Sequence, residues 1–276
     1  MLKNYLKTAV RNLWKNKTFS FINVAGLAIG MAVSFLILLL VFNELTYDRF
    51  HENSGNIYRI ATRIDAEGRK LNVPSVPAPF GLMLKELYPE IAEVVRLRGD
   101  YTRVISFEDK LFDESKIYYA DPGLFEVFTI DVVRGDPKTM LEAPFSLILT
   151  EEMAEKYFGK EDPMGRTLKF GNEEDPYTIT GIAKKMPENS HFKFNILGSL
   201  SSLEKLRRDL NSWMGFNYYT YLEIQGEHDM TKLTQKYYGQ LMANMPDQIK
   251  KLPTDWRAMQ EDRQATREQW IALFGE

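Results

Sequence analysis

The hydrophobic pattern changes character once along this chain. From Thr18 to Asn43, 26 residues pass without a charged side chain, and most of the stretch (FSFINVAGLAIGMAVSFLILLLVF) is apolar on every face. A bilayer core about 30 Å thick needs roughly 20 helical residues, so the pattern predicts a transmembrane helix over 18–43. A buried core helix of this length would carry a polar face. A cleaved secretory signal shares the layout of a basic start before an apolar run. However, the run exceeds the roughly 7–15 residues of a signal core, and no A-x-A-like site precedes the acidic stretch at 44–48.

Before the span, Lys3, Lys7, Arg11 and Lys15 recur every four residues while Leu2, Leu6, Val10, Leu13 and Trp14 take another face. That spacing predicts an amphipathic helix over 1–17 lying in the lipid headgroup plane, with Lys17 extending its basic face. Residues 1–17 hold no acid, whereas Glu44, Asp48 and Glu52 flank the far end, so the positive-inside rule puts the N-terminus in the cytoplasm and the bulk of the chain outside. Within the span, Gly26, Gly30 and Ser34 stand four apart, a spacing that lets another transmembrane helix pack closely.

Beyond the span the periodicity becomes that of a mixed fold. Alternation predicts strands over 56–64, 94–97, 104–107, 111–119, 146–149, 167–170, 177–182, 192–197 and 218–224. Helical spacing predicts helices over 79–88 with proline in the first turn, 151–158 behind an N-cap at Thr150 and a stop at Gly159, and 200–210. Asp121-Pro122 and Asp136-Pro137 are expected to cap two short helices, and Leu233, Tyr237, Leu241, Met245 and Ile249 form a further helical stripe. Strands interleaved with single helices predict an α+β chain: one N-terminal transmembrane helix followed by a mixed α/β extracytoplasmic domain over 44–252, with a polar tail over 253–276.

Charge and composition narrow the function. The net charge is −3, and since residues 1–17 contribute five positive charges, the remainder carries −8. Such a domain is a poor partner for nucleic acid. With no cysteine in the sequence, the outer domain is held without disulfides and has no thiolate metal site. His51, His191 and His228 are scattered without metal-ligand spacing and read as packing or surface histidines. The segment Gly159 to Thr167 has five residues between its glycines, an Arg before the Thr, and helix-to-strand order, so it is not a phosphate loop. No metal, cofactor or catalytic group is therefore expected, and the chain is not expected to be an enzyme.

Ordered blocks along residues 1–250 resemble the permease family of macrolide-exporter and FtsX-type ABC transporters, specifically its first span and MacB-like periplasmic core domain. They are Asn4-Tyr5-Leu6, Arg11-Asn12-Leu13 and Lys15-Asn16-Lys17; Phe21-Ile22-Asn23 and Gly26-Leu27-Ala28-Ile29-Gly30; and Glu44-Leu45 with Tyr47-Asp48-Arg49-Phe50-His51. Ile57-Tyr58-Arg59, Ala120-Asp121-Pro122, Gly135-Asp136-Pro137 and Leu149-Thr150-Glu151-Glu152 follow, then Lys156-Tyr157-Phe158-Gly159, Thr180-Gly181-Ile182, Pro187-Glu188-Asn189-Ser190-His191-Phe192 and Asn211-Ser212-Trp213. The resemblance implies a location in a bacterial inner membrane, contact with membrane lipid, a cytoplasmic ABC ATPase subunit as partner, and further permease spans or a second copy. Its implied mechanism is mechanical: ATP-driven closure inside the cell moves the outer domain for export or release of a substrate, with Tyr47, Asp48, Arg49 and Phe50 coupling span to domain. Because such permeases continue into three more spans, the chain is expected to be a truncated permease or a fragment beside a separately encoded membrane unit. The alternative expectation is a single-span anchored periplasmic binding or interaction module without transport activity.

Overall fold

The computed structural model describes residues 2–66, 69–100, 102–108, 110–171, 173–206, 210–213, 215–226 and 254–260. The helical stripe from Leu233 to Ile249, His228, and residues 261–276 of the polar tail lie outside the described residues. The chain divides into two units, residues 1–47 and residues 48–276.

The first unit is two helices. α1 (Leu2–Lys15) gives way at Asn16 to α2 (Lys17–Leu45), where Asn16 leaves helical geometry at φ −110° and ψ 56°. Backbone bonds Asn16 N to Asn12 O and Ser20 N to Asn16 O carry the chain across this break. Nearly every α2 side chain is exposed and none is buried, so its apolar surface has no protein partner in the unit. An apolar helix of 29 residues, bare on all sides, is long and apolar enough to cross a membrane.

The second unit is built on one mixed sheet. Its strands are β1 (Ile57–Ala66), β2 (Arg69–Val73), β3 (Ile91–Asp100), β4 (Arg103–Phe107), β5 (Lys110–Glu114), β6 (Ile117–Ala120), β7 (Val132–Arg134), β8 (Ser146–Thr150), β9 (Thr167–Phe170), β10 (Tyr177–Ala183), β11 (Ile196–Ser199), β12 (Tyr219–Ile224) and β13 (Thr254–Gln260). Its helices are α3 (Ala78–Leu87), α4 (Leu124–Val127), α5 (Glu151–Phe158) and α6 (Ser201–Lys205). The strands run β13-β1-β12-β3-β6-β11-β8-β10-β9-β4-β5, with β2 on β1 and β7 on β10. Pairs β8/β10 and β6/β11 are parallel and the others antiparallel. Residues 254–260, within the segment read as a polar tail, pair their backbone with β1 from Tyr58 to Ile64.

Period-two alternation sorts side chains between the two faces. Leu147 and Leu149 of β8 enter one cluster with Ile117, Tyr119, Ile196 and Phe170, while Ile148 enters another with Leu197, Ala120 and Val95. On β1, Ile57 faces the second cluster, whereas Tyr58 and Ile60 pack under α3 with Phe80, Leu84, Val94 and Leu222.

Several expected elements differ. The segment 111–119 is two strands rather than one: Lys116 sits at φ 58°, so β5 stays on β4 while β6 turns to pair with β3 and β11. Asp121 does not cap a helix with its side chain. Its carboxylate takes Arg96 Nε and Nη2, both at 2.8 Å, and the Arg96 amide at 2.9 Å, leaving the short α4 uncapped by a side chain. Asp136-Pro137 opens a turn and no helix, with Asp136 Oδ1 accepting the Lys138 amide at 3.0 Å. The strand expected over 192–197 begins only at Ile196, because Phe192 and Phe194 are drawn into an aromatic cluster. The Thr150 cap on the Met153 amide and the stop at Gly159, φ 60°, are as expected.

Gly135 carries φ +102°, and a Cβ there would meet Thr180 O at 2.6 Å. Gly135→Ala is expected to destabilise the domain by roughly 2–3 kcal/mol, read by urea denaturation of the detergent-solubilised chain.

Candidate functional site

The described residues that converge most closely in polar chemistry lie where the second unit begins. Asp48 takes a left-handed backbone, φ 54°, a conformation that Asp tolerates better than most residues. The turn places Asp48 and His51 together inside the fold; both are buried, with His51 only 3% exposed. The Asp48 amide donates to Asn189 O at 2.9 Å, and its Oδ1 accepts the His191 amide at 2.8 Å and lies 3.0 Å from His191 Nδ1. On the far side of the ring, His191 Nε2 meets the Tyr221 hydroxyl of β12 at 2.8 Å. The His191 ring thus sits between the Asp48 carboxylate, which its Nδ1 meets at ion-pair distance without the geometry of a hydrogen bond, and the Tyr221 hydroxyl.

His51 is fixed from another side. Its Nδ1 accepts the Thr129 amide at 3.2 Å, while Thr129 Oγ1 accepts the Glu52 amide at 2.9 Å, a reciprocal stitch between residues 51–52 and Thr129. Phe128 stands against the His51 ring at 5.0 Å and also packs on His191, Phe192 and Tyr221. Burial is the main force that pushes His51 down to about 4; the neighbouring His191 adds to it and Asp48 works against it.

One ligand atom from each of Asp48, His51 and His191 lies within 4.8 Å of the others, the outline of a three-ligand metal centre. The hydrogen bonds argue against that use. A neutral imidazole whose Nδ1 lone pair accepts the Thr129 amide carries its proton on Nε2, and a protonated nitrogen has no lone pair for a metal. A ligating histidine would instead donate its second N–H to an acceptor, and here that nitrogen faces a donor. The cluster is therefore a polar fastening, with His51 Nε2 buried and without a hydrogen-bond partner among the described residues.

The histidines read as scattered in sequence are thus brought together across 140 positions, while His228 lies outside the described residues. Among the residues expected to couple span and domain, Asp48 is central to the cluster, Phe50 stacks on His51 at 4.0 Å, and Arg49 is exposed. Tyr47 closes the first unit with its amide toward Glu44 O. Lys7, Arg11, Lys15 and Lys17 are exposed, and Lys17 Nζ sits 5.6 Å over the Trp14 ring; the Lys3 side chain lies outside the description. Gly26 and Gly30 have open space beside them, and Ser34 Oγ turns back to Gly30 O at 2.9 Å.

Other buried polar groups are tied in pairs. Lys156 and Tyr157 both bond Glu114, and burial followed by that carboxylate raises the Tyr157 hydroxyl far above its usual range. Arg103 bonds Glu173 and Asp100, and Tyr119 meets Tyr177 at 3.3 Å. An open groove beside α3 is lined by Leu82, Met83, Leu87, Leu210 and Trp213, and the Arg96 that borders it is committed to Asp121.

The model of the MacB-like periplasmic core domain matches residues 20–236, more than half of the chain. The chain belongs to the MacB-like periplasmic core domain family. Solved structures share the fold. A domain of a protein described as a permease from Porphyromonas gingivalis aligns with TM-score 0.66 at 18% identity, covering 76% of this chain and 90% of that one. The periplasmic region of MacB from Actinobacillus actinomycetemcomitans aligns at 0.54 and 15%, covering 78% and 92%. The extracellular domain of the noncanonic ABC-type transporter YknZ from Gram-positive bacteria aligns at 0.52 and 16%, covering 74% and 100%. No curated protein sequence matches the chain. This MacB-like chain thus joins a helix able to span a membrane to a domain of an extracytoplasmic family.

Asp48→Ala is expected to cost this MacB-like domain roughly 3 kcal/mol, because the buried His191 amide loses its acceptor and the ring loses its carboxylate neighbour. Asp48→Asn, which keeps an amide oxygen and tolerates the left-handed backbone, is expected to cost less than half as much by the same urea denaturation. Added zinc is expected to move the melting temperature by no more than about 1 °C, against the larger shift a specific site would give.

Proposed function

We propose that this chain is a non-catalytic, membrane-anchored component of a MacB/FtsX-type ABC transporter permease. In this reading α2 spans a bacterial inner membrane, the N-terminus is cytoplasmic beside the basic face of α1, and the mixed sheet domain stands outside. A cytoplasmic ABC ATPase subunit supplies hydrolysis, and movement of α2 is passed to the domain for export or release of a substrate. Further permease spans or a second copy complete the membrane unit, with Gly26, Gly30 and Ser34 as the face that packs against them.

The observation that carries this reading is that the family match over residues 20–236 begins inside the apolar helix and takes in strands β1 to β12 of the sheet domain. Helix and domain therefore belong to one family unit. Charge supports the orientation, since Lys7, Arg11, Lys15 and Lys17 lie exposed before the span.

Purification of the full chain from its native membrane in mild detergent tests the reading. Recovery of an ATP-binding subunit and a multi-span permease is the expected result; recovery of the chain alone would favour an independent anchored module. The coupling step has its own test. Because Asp48 and His51 are parts of the folded domain, a flexible insertion belongs before them. A ten-residue glycine-serine insertion between Thr46 and Tyr47 is expected to leave the domain's circular dichroism unchanged and to abolish transport-linked ATP hydrolysis in the purified complex. Hydrolysis and transport at wild-type rates would show that no rigid link is needed.

A further inference from the structure

The two histidines meet different partners. His191 Nε2 faces the Tyr221 hydroxyl, which can donate or accept. His51 faces a backbone amide, which can only donate. Its one open lone pair is on Nδ1, and that nitrogen accepts the Thr129 amide. A proton arriving there sets N–H against N–H and removes the bond, so the imidazolium can be accommodated only if the ring leaves Thr129.

We propose that Asp48, His51 and His191 form an acid-sensitive latch that holds residues 48–52 to Thr129 and to the loop at 189–191, and that opens when His51 becomes an imidazolium. The groups facing His51 are few. From its own segment they are Asp48 and the Phe50 ring; from residues 128–129, the Phe128 ring and the Thr129 amide; from the loop at 189–191, His191, backed by Tyr221 of β12. Glu52 is exposed and engages Thr129 through its amide. Of these groups His191 opposes a proton on His51 and Asp48 favours one.

The sign of the effect follows from the His51 position in the fold, held down to about 4 against the ordinary 6.5. The open form binds the proton more readily, so the closed latch is fully favoured above about pH 6.5 and is lost progressively as pH falls toward 4. Between pH 7 and pH 4.5 the open-to-closed ratio is expected to rise roughly fifty-fold.

Four backbone amides report the latch directly, since each donates across it in the closed form: Asp48, Glu52, Thr129 and His191. Hydrogen exchange of the full chain in detergent, corrected for the intrinsic pH dependence of exchange, is expected to show these amides losing protection at pH 4.5 while β8 and β11 keep theirs. His51→Asn places an amide oxygen near the Nδ1 position, where it can accept from Thr129 and cannot take a proton, and is expected to stay protected at pH 4.5. Equal protection of the wild type at both values would overturn the proposal, as would loss spread evenly over β8 and β11 or an Asn variant as acid-sensitive as the parent. A readout independent of the variant is the NMR titration of His51 in the wild type. Titration well below 6.5 together with loss of the Thr129 bond supports the latch, and an ordinary titration at 6.5 sinks it.

Discussion

A chain without cysteine that carries a domain of more than 200 residues outside a membrane must hold it by burial alone, and the central strand shows the consequence. Every residue of β8, from Ser146 to Thr150, is buried. Its two neighbours, β10 in parallel and β11 antiparallel, place apolar side chains on both faces, so two separate clusters grow from one sheet. The strands farther out inherit this requirement in weaker form. β9 alternates exposed and buried positions, and β5 at the sheet's edge leaves Leu111 in solvent. Burial is the term that scales with area, so from β8 through β9 to β5 the strands contribute less and less to stability.

The polar cluster depends on that gradient. Phe128, Phe192, Phe194 and Tyr221 belong to the second cluster, and they form the wall against which His51 and His191 are set. A carboxylate and two imidazoles removed from water gain little net stability over apolar residues of the same volume, but each missing partner is costly. Such a group therefore acts on specificity more than on stability. Asp48 can accept the His191 amide and lie beside its ring only if residues 48–51 and 189–191 adopt one arrangement, and the left-handed turn at Asp48 is retained because the surrounding bonds determine it.

Much of the fold was legible because it rests on local rules. The long apolar helix α2 announced itself by length and lack of charge, α5 by Thr150 and Gly159, and the strands β9 and β10 by their alternation. What was not legible required knowledge of a distant partner. The run from Leu111 to Tyr119 has the alternation of a single strand, and only the different partners of β5 and β6 divide it at Lys116. Asp121 before Pro122 has the form of a cap, but Arg96, 25 residues earlier, holds its carboxylate. Phe192 and Phe194 have strand spacing, yet their rings serve the aromatic wall. The cluster failed to show for the same reason: His51 and His191 are 140 residues apart, with no spacing rule to join them. The signal available was that both lie within blocks that carry the family resemblance, Tyr47-Asp48-Arg49-Phe50-His51 and Asn189-Ser190-His191-Phe192.

Those two blocks also bear on how a mechanical reading of the chain has to be framed. A flexible join between an apolar helix and a folded domain would be marked by glycine, serine or charge repulsion, with side chains directed to solvent. Residues 48–52 have the opposite character: two of the five are buried, and four of their groups bond to segments that come from positions 129 and 189–191. The domain therefore begins at Asp48 as a packed element, three residues after the last helical residue, Leu45. Any free pivot is confined to Thr46 and Tyr47, whose amides still bond back to Phe42, Asn43 and Glu44. Those bonds carry the hydrogen-bonding pattern of α2 up to the residue before Asp48, where the bonds of the sheet domain begin.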